Sequence, residues 1–179
     1  YAAMLRFDGG AFASLAYNGY GHFDSDELCG WVGELGAPKD PAAAYGASRR
    51  ALAKVANAAD EARLKNERTY GGATYVAPSP WTPPAHHQHF GFIVVSCEGA
   101  DLRPTPAGVT VYGHESQQAH ALPVPPIPRR EVIDELYGAV FEGRTPRHDG
   151  PWGLATMEVV LAILQSAREG REIELGSSA

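Results

Sequence analysis

Three histidines of this chain lie close enough together to suggest a metal site. His86, His87 and His89 occur in the stretch HHQH, and imidazole is a common ligand of zinc, nickel and copper. A structural zinc site takes four ligands at regular spacing, whereas this stretch follows four prolines and the other histidines are distant in sequence. We predict no metal site and treat the three histidines as candidates for a substrate pocket. A metal-binding loop and an ordinary solvated loop are the alternatives.

A second group of polar and aromatic residues ends a predicted strand. Tyr17, Asn18, Tyr20 and His22 offer two phenols, an amide and an imidazole, which could line a pocket for a polar or aromatic substrate. Tyrosine is also favoured in half-buried strands for packing alone. These four residues are therefore further candidates for the substrate pocket, with a purely structural role as the alternative.

The pair Gly19 and Gly21 comes nearest to a dinucleotide-binding motif. That motif needs a third glycine or an alanine, but Asp24 stands at that position, and Asp26 adds negative charge where a pyrophosphate would bind. The nucleophile motif Gly-x-Ser-x-Gly is also absent from the sequence. Neither motif therefore supplies catalytic or cofactor-binding residues in this chain.

The composition excludes several classes of partner. The 179 residues are 44% hydrophobic and 20% charged, with a formal charge of −6, which is ordinary for a globular domain. Without a basic cluster, we expect no nucleic-acid partner and no anionic membrane surface. No apolar run reaches the ~20 residues that span a bilayer, and no signal peptide is visible. Cys29 and Cys97 predict two reduced thiols and a cytoplasmic location.

Turn and cap signals divide the chain into alternating strands and helices. Asp8-Gly9-Gly10 predicts a β-hairpin, and Asp24, Ser25 or Asp26 could cap a short helix. Asp40-Pro41 predicts the start of a long helix that runs to about Glu67. The strands return with a central strand at 90–97, a turn at 98–101, a second turn at 106–108 and a strand at 109–112. This order favours an α+β fold with an open, mostly antiparallel sheet and helices on one face.

The last two predicted helices carry much apolar surface. In the stretch RREVIDELYGAVFEG, five apolar side chains are expected to face inward, and Gly143 ends the helix: Val132, Ile133, Leu136, Val140 and Phe141. The next helix begins at Asp149 and Pro151 and ends at Gly170, and its apolar residues between Trp152 and Leu164 surround most of it. They need cover on at least two sides, from the same domain or from a neighbouring one. The stretch REIEL then predicts a short final strand.

The whole pattern resembles the C-terminal domain of the Gfo/Idh/MocA oxidoreductases. The stretches that carry the resemblance are DGGAFASLAYNGYGHFDSDE, HQHFGFIVVSCEGADLRPTPAGVTVYG and the C-terminal run that ends in SAREGREIEL. Residues 34–89 are similar to a helical and proline-rich insertion of the dihydrodiol (phthalate-type) dehydrogenase branch. The resemblance covers 1–179 as a single domain.

The resemblance implies an N-terminal Rossmann domain outside this chain, an NAD or NADP cofactor bound there, and a homodimer or higher homo-oligomer. It also implies a Glu-Lys-Pro motif and a histidine that assist hydride transfer, but this chain contains no Glu-Lys-Pro, and its first strand corresponds to a point beyond that histidine. Because the chain opens on YAAML as if within a strand, we expect part of a longer protein.

Two functions from different classes fit these features. The first is the substrate and oligomerisation domain of an NAD(P)-dependent dehydrogenase for a small hydroxylated substrate, such as a sugar or a cyclic diol. The isolated domain would be inactive and would bind no cofactor. The second is a stand-alone binding or assembly module without catalysis, and the coding sequence upstream would distinguish the two.

Overall fold

The computed structural model describes residues 1–19, 21–77, 83–124, 126–127 and 129–176. Six strands and five α-helices are present in this part of the chain. In chain order they are β1 (Ala2–Arg6), β2 (Phe12–Ala16), α1 (Pro41–Ala44), α2 (Ala47–Leu52), α3 (Ala58–Arg68), β3 (Val95–Ser96), β4 (Ala100–Thr105), β5 (Gly108–Gly113), β6 (Gln117–Ala121), α4 (Arg130–Phe141) and α5 (Gly150–Glu169).

The chain forms two compact units. One comprises Tyr1–Gly21 and Glu131–Ala179, and the other comprises His22–Arg130. The first contains the β1–β2 hairpin, α4 from Glu131 onward and all of α5. The second contains α1–α3 and a four-stranded antiparallel sheet in the order β3-β4-β5-β6. The predicted α+β class with open antiparallel sheets is confirmed.

The hairpin and the last helix form as their local signals predict. Strands β1 and β2 pair antiparallel from Ala2↔Ala16 to Arg6↔Phe12, and the turn between them contains Gly10 at φ 84°. The carboxylate of Asp149 accepts a hydrogen bond from the Trp152 amide at the start of α5, and Gly170 ends the helix in the left-handed conformation. Local cap chemistry therefore sets these boundaries.

The predicted helix from Pro41 to Glu67 is wrong, because three shorter helices occupy this stretch. Asp40 caps the first helix as expected, but α1 ends at Ala44, and Gly46 adopts φ 69° before α2 begins. A left-handed residue interrupts the helical hydrogen bonds, and the Arg50 guanidinium donates to the Tyr45 carbonyl at this break. Asn57 then caps α3.

The predicted central strand at 90–97 is also wrong. Only Val95 and Ser96 form a strand, and they lie at the edge of the sheet, where they pair with β4 alone. The sequence analysis missed β6, whose polar stretch QQAHA lacks the usual strand pattern but pairs with β5. Pairing with a neighbour has overridden the composition of both segments, as is common for strands.

The stretch REIEL is not a strand, since residues 172–176 have no regular secondary structure. Side-chain contacts fix its position instead. The Arg6 guanidinium on β1 donates to both carboxylate oxygens of Glu172, at 2.7 and 2.6 Å. Both side chains are more than half exposed, so this pair contributes little to stability.

The apolar faces of α4 and α5 are left open by the described residues. The five side chains expected to face inward on α4 are all more than half exposed, so that expectation is wrong for this structure. On α5 one face is half-buried, but the opposite stripe is about half exposed: Leu154, Met157, Leu161 and Leu164. None of the helices in the described ranges could cross a membrane.

The total accessible surface of the chain is large for its mass. The chain exposes 14420 Å², whereas a folded monomer of 19.1 kDa exposes about 8,400 Å². The chain therefore exposes about 6,000 Å² more than a folded monomer of this mass.

A small ion cluster holds the loop that begins the second unit. The Lys39 ammonium lies 2.5 Å from a carboxylate oxygen of Asp24 and 2.8 Å from one of Asp26. Asp24 also caps the 3-10 helix Ser25–Cys29 by accepting from the Asp26 amide. The hydrogen bond from Lys39 lowers the pKa of Asp24, and the two carboxylates raise the pKa of Lys39.

Replacing Lys39 by Met is expected to lower the free energy of unfolding by about 1–3 kcal/mol, because two half-buried carboxylates lose their charged donor. Urea unfolding measures this loss. Lys54 is exposed, so Lys54→Met is the control and should change the free energy of unfolding by less than about 0.5 kcal/mol.

The same variant should change the acid side of the stability profile. A carboxylate with a lowered pKa stabilises the fold above its ordinary value of about 3.9, and this contribution is lost as pH falls through the folded value. Stability of the parent chain should therefore fall below about pH 4, and Lys39→Met should flatten that decline. Equal acid slopes for the two proteins would contradict the assignment.

Candidate substrate cavity

A cavity of about 350 Å³ lies within the second unit, which is inside the range of small-molecule sites. Two segments far apart in sequence form its walls, one at 28–32 and the other at 86–107. Most lining side chains are apolar, and four others, Thr105 among them, can form polar contacts. The apolar ones include Leu28, Val32, Phe92, Pro104 and Pro106, and the polar ones include Cys29, His86 and Arg103.

The first wall is a tight turn that follows the 3-10 helix. Gly30 ends this helix at φ 69°, and Trp31 follows at φ 58°, which is unusual for a bulky side chain. Val32 then forms an isolated antiparallel bridge with Pro38. Val32 is buried, with 7% of its surface exposed.

The second wall is the β4–β5 hairpin together with the histidine loop. The His87 amide donates to the Pro106 carbonyl at 2.9 Å, and Pro106 lies in the two-residue turn between Thr105 and Gly108. Gly36 lies so close to this loop that a Cβ there would come within 2.3 Å of the His86 carbonyl oxygen. Close backbone approach thus places His86 at the cavity.

Arg103 connects the two walls. Its Nη2 donates to the Leu28 carbonyl at 2.7 Å, and its guanidinium carbon lies 5.2 Å from the centre of the Phe92 ring. This distance is typical of a cation–π contact. The side chain is half-buried on β4, so a positive charge faces an otherwise apolar cavity.

Cys29 contributes a neutral thiol to the cavity. Burial raises its pKa, the negative charge of Asp26 adds to that effect, and Arg103 opposes it. A raised pKa keeps the thiol protonated at neutral pH, and the thiolate is the reactive form. The cavity therefore presents Cys29 as a protonated thiol that reacts slowly at neutral pH.

The histidine cluster is divided between the cavity and the surrounding backbone. His86 lines the cavity. His89 accepts from the Gly91 amide at Nδ1, 3.0 Å away, so its Nε2 carries the proton that it donates to the Val32 carbonyl at 2.8 Å. His87 Nε2 lies 3.0 Å from the Pro123 carbonyl, and a carbonyl can only accept.

These bonds occupy both ring nitrogens of His89 and one of His87. In the ranges that the structure covers, no three histidine, cysteine or acidic side chains are grouped for metal binding. The role of the three histidines at a substrate pocket stays a prediction, and among them His86 has the position that suits it.

Three further candidate residues do not line this cavity. The Tyr17 ring stacks on Tyr1 at 5.7 Å, and Asn18 follows it in the first unit. His22 is exposed at the start of the second unit, and Tyr20 lies outside the described residues. A substrate role for these four residues also stays a prediction.

The segment around Gly19 and Gly21 does not match the dinucleotide-binding fold. The strand before Gly19 belongs to an antiparallel hairpin, and the helix after Gly21 is a 3-10 helix of five residues whose N-terminus is already capped by Asp24. A dinucleotide fold needs a parallel strand pair and an uncapped α-helix N-terminus, whereas every strand pair in the described ranges is antiparallel.

Sequence reasoning missed Arg103, Phe92 and Cys29 as neighbours. One signal for Arg103 was present, because it is the only arginine or lysine between Arg68 and Arg129. A single cation in a long segment otherwise without basic residues is unusual, and its place in a strand next to Leu102 and Pro104 could have marked it.

Comparison with known proteins decides which group of enzymes this chain resembles. The chain is 38% identical over 168 residues to the 1-carboxy-3-chloro-3,4-dihydroxycyclohexa-1,5-diene dehydrogenase of Comamonas testosteroni, and the match covers 94% of the chain. The chain is a homologue of a dihydrodiol-type dehydrogenase. The predicted resemblance to this branch is thereby confirmed.

A solved structure supports the same assignment. The chain superimposes on the crystal structure of a Bordetella bronchiseptica RB50 protein described as a dehydrogenase, with a TM-score of 0.78 and 36% identity over 97% of the chain. No family model matches the sequence. The chain spans less than half the length of each relative, 42% and 44%.

Proposed function

We propose that this chain is the substrate-binding and oligomerisation part of an NAD(P)-dependent dehydrogenase of the Gfo/Idh/MocA type, and that the complete enzyme oxidises a cyclic diol. The observation that carries the proposal is the 38% identity, over 94% of the chain, to a dehydrogenase of a dihydroxycyclohexadiene. A carboxylated cyclic diol is the substrate class that this relative suggests.

The open apolar surface supports a role as part of a larger protein. Exposed apolar patches of this extent mark protein–protein or domain contacts, and interfaces between permanent partners cover about 2,000–5,000 Å². We infer that a dinucleotide-binding domain covers part of α4 and α5. A second copy of the protein would cover more. A cytoplasmic location is part of the same proposal.

The residues of this chain suit substrate binding and not cofactor binding. The segment around Gly19 and Gly21 does not match the dinucleotide-binding fold, so a nicotinamide cofactor would be held by the rest of the protein. This chain would bind and orient the substrate and exclude water from it. The cavity has suitable walls for that task, with apolar side chains, one imidazole at His86 and one guanidinium at Arg103.

Dinucleotide binding and turnover by two proteins test this proposal. Calorimetry should detect NAD or NADP binding to the protein encoded by the complete gene, and that protein should reduce the cofactor when given a cyclic cis-diol. This chain alone should bind no dinucleotide and show no activity. If the complete gene begins just before Tyr1, or its product binds no dinucleotide, a stand-alone binding module becomes the better conclusion.

A further inference from the structure

The charge of the cavity is the feature from which the ligand can be inferred. Arg103 is a permanent cation, and no aspartate or glutamate is among the residues that line the described cavity. The Cys29 thiol has a raised pKa and so supplies no negative charge at neutral pH. A cation that faces apolar walls without a carboxylate partner favours an anionic ligand.

The geometry of Arg103 suits a carboxylate in particular. A guanidinium has five N–H donors in a planar fork, and the structure shows one bond from Nη2, to the Leu28 carbonyl. This bond and the Phe92 ring hold the side chain at two points. A positioned guanidinium can bind both oxygens of one carboxylate, which a single ammonium cannot do with the same geometry.

The apolar walls of the cavity favour a ligand with a flat ring. Phe92, Leu28 and Val32 are apolar, and the prolines at 104 and 106 are rigid. A flat or nearly flat ring would contact these surfaces, whereas a flexible hydrophilic anion would leave them in contact with water. A cavity of about 350 Å³ is large enough for a single substituted ring.

We propose that this cavity binds a small cyclic carboxylate, whose ring lies between Phe92 and Val32 and whose carboxylate pairs with Arg103. Arg103 would then select carboxylated diols over neutral ones. The proposal rests on the proposed function only where it treats this ligand as the substrate of the complete enzyme. Binding itself needs no cofactor and can be tested without one.

Two ring diols that differ in one carboxylate provide the test. 3,4-Dihydroxybenzoate and catechol are titrated, without dinucleotide, into the complete protein and into its Arg103→Gln and Arg68→Gln variants. The carboxylate should bind the parent at least about tenfold more tightly than catechol. Arg103→Gln should remove this preference and leave catechol binding within about twofold. Arg68 is exposed at the end of α3, so Arg68→Gln should keep the preference.

Thiol labelling of the parent protein provides a measurement that needs no variant. 3,4-Dihydroxybenzoate should slow the alkylation of Cys29, which lines the cavity, and leave the exposed Cys97 unchanged. Catechol at the same concentration should protect Cys29 much less. This comparison decides the proposal if Arg103→Gln does not fold.

Three results would overturn the proposal: equal affinity of the parent for the two ligands, an equal loss of both ligands in Arg103→Gln, or no protection of Cys29 by the carboxylate. Its failure can be told apart from failure of the proposed function. A complete enzyme that oxidises neutral diols without any effect of Arg103→Gln keeps the dehydrogenase assignment and loses the carboxylate site. Carboxylate binding without any turnover keeps the carboxylate site and removes the dehydrogenase assignment.

Discussion

A Gly36→Ala variant should lose about 2–5 kcal/mol of its free energy of unfolding. Gly36 has φ 80°, and a Cβ there would lie 2.3 Å from the His86 carbonyl oxygen and 3.1 Å from its carbonyl carbon. The left-handed conformation costs alanine about 1–2 kcal/mol, and forced movement of the neighbouring backbone adds about 1–3 kcal/mol. Because His86 lines the cavity, ligand binding should weaken as well.

Gly71 separates the two contributions. It has φ 82° with no atom within 4 Å of a built Cβ, so Gly71→Ala carries the conformational cost without the clash. Urea unfolding of both variants should show Gly36→Ala as the less stable by about 1–3 kcal/mol. Equal losses would mean that the approach of Gly36 to His86 adds nothing to stability.

Replacing Leu161 by Lys should have a small effect in this chain and a large one in the complete protein. Leu161 is 56% exposed here, so the free energy of unfolding of the isolated chain should change by less than about 0.5 kcal/mol. If another domain covers the open stripe of α5, the complete protein should lose about 2–5 kcal/mol, because a charge replaces a buried leucine. Thermal unfolding of both proteins, with and without the substitution, measures the difference.

Thr156 provides the control for this comparison. It is exposed on the same helix and lies about 140° around the helix axis from Leu161. Thr156→Lys introduces the same charge away from the open stripe and should have a small effect in both proteins. A harmless Leu161→Lys in the complete protein would show that no domain covers that stripe.

Local signals predicted the ends of elements better than their interiors. The caps at Asp40, Asp149 and Gly170 were predictable because a cap depends on a few adjacent residues. The helix from Pro41 to Glu67 was not, because its weak apolar stripe gave no reason to break it at Gly46. The apolar composition of 90–97 predicted a buried strand, but most of those side chains are exposed. The apolar faces of α4 and α5 are exposed in the same way.

The cavity itself was largely beyond prediction from sequence. Its walls at 28–32 and 86–107 meet through contacts between distant residues, such as Arg103 with Leu28 and His89 with Val32. No periodic pattern connects such segments. His86 was predicted as a candidate from its residue type alone, whereas Arg103 would have needed attention to its isolation from other basic residues.

The four-stranded sheet has a consequence for the order of folding. Each strand pairs with its neighbour in the chain, and the turn between β4 and β5 has only two residues. Short loops close at little entropic cost, and such local pairing speeds folding. The cavity needs a much longer loop to close, so its contacts should form after the rate-limiting step. Substitutions in the cavity walls should then mainly accelerate unfolding and leave the folding rate nearly unchanged, which stopped-flow kinetics of Arg103→Gln would show.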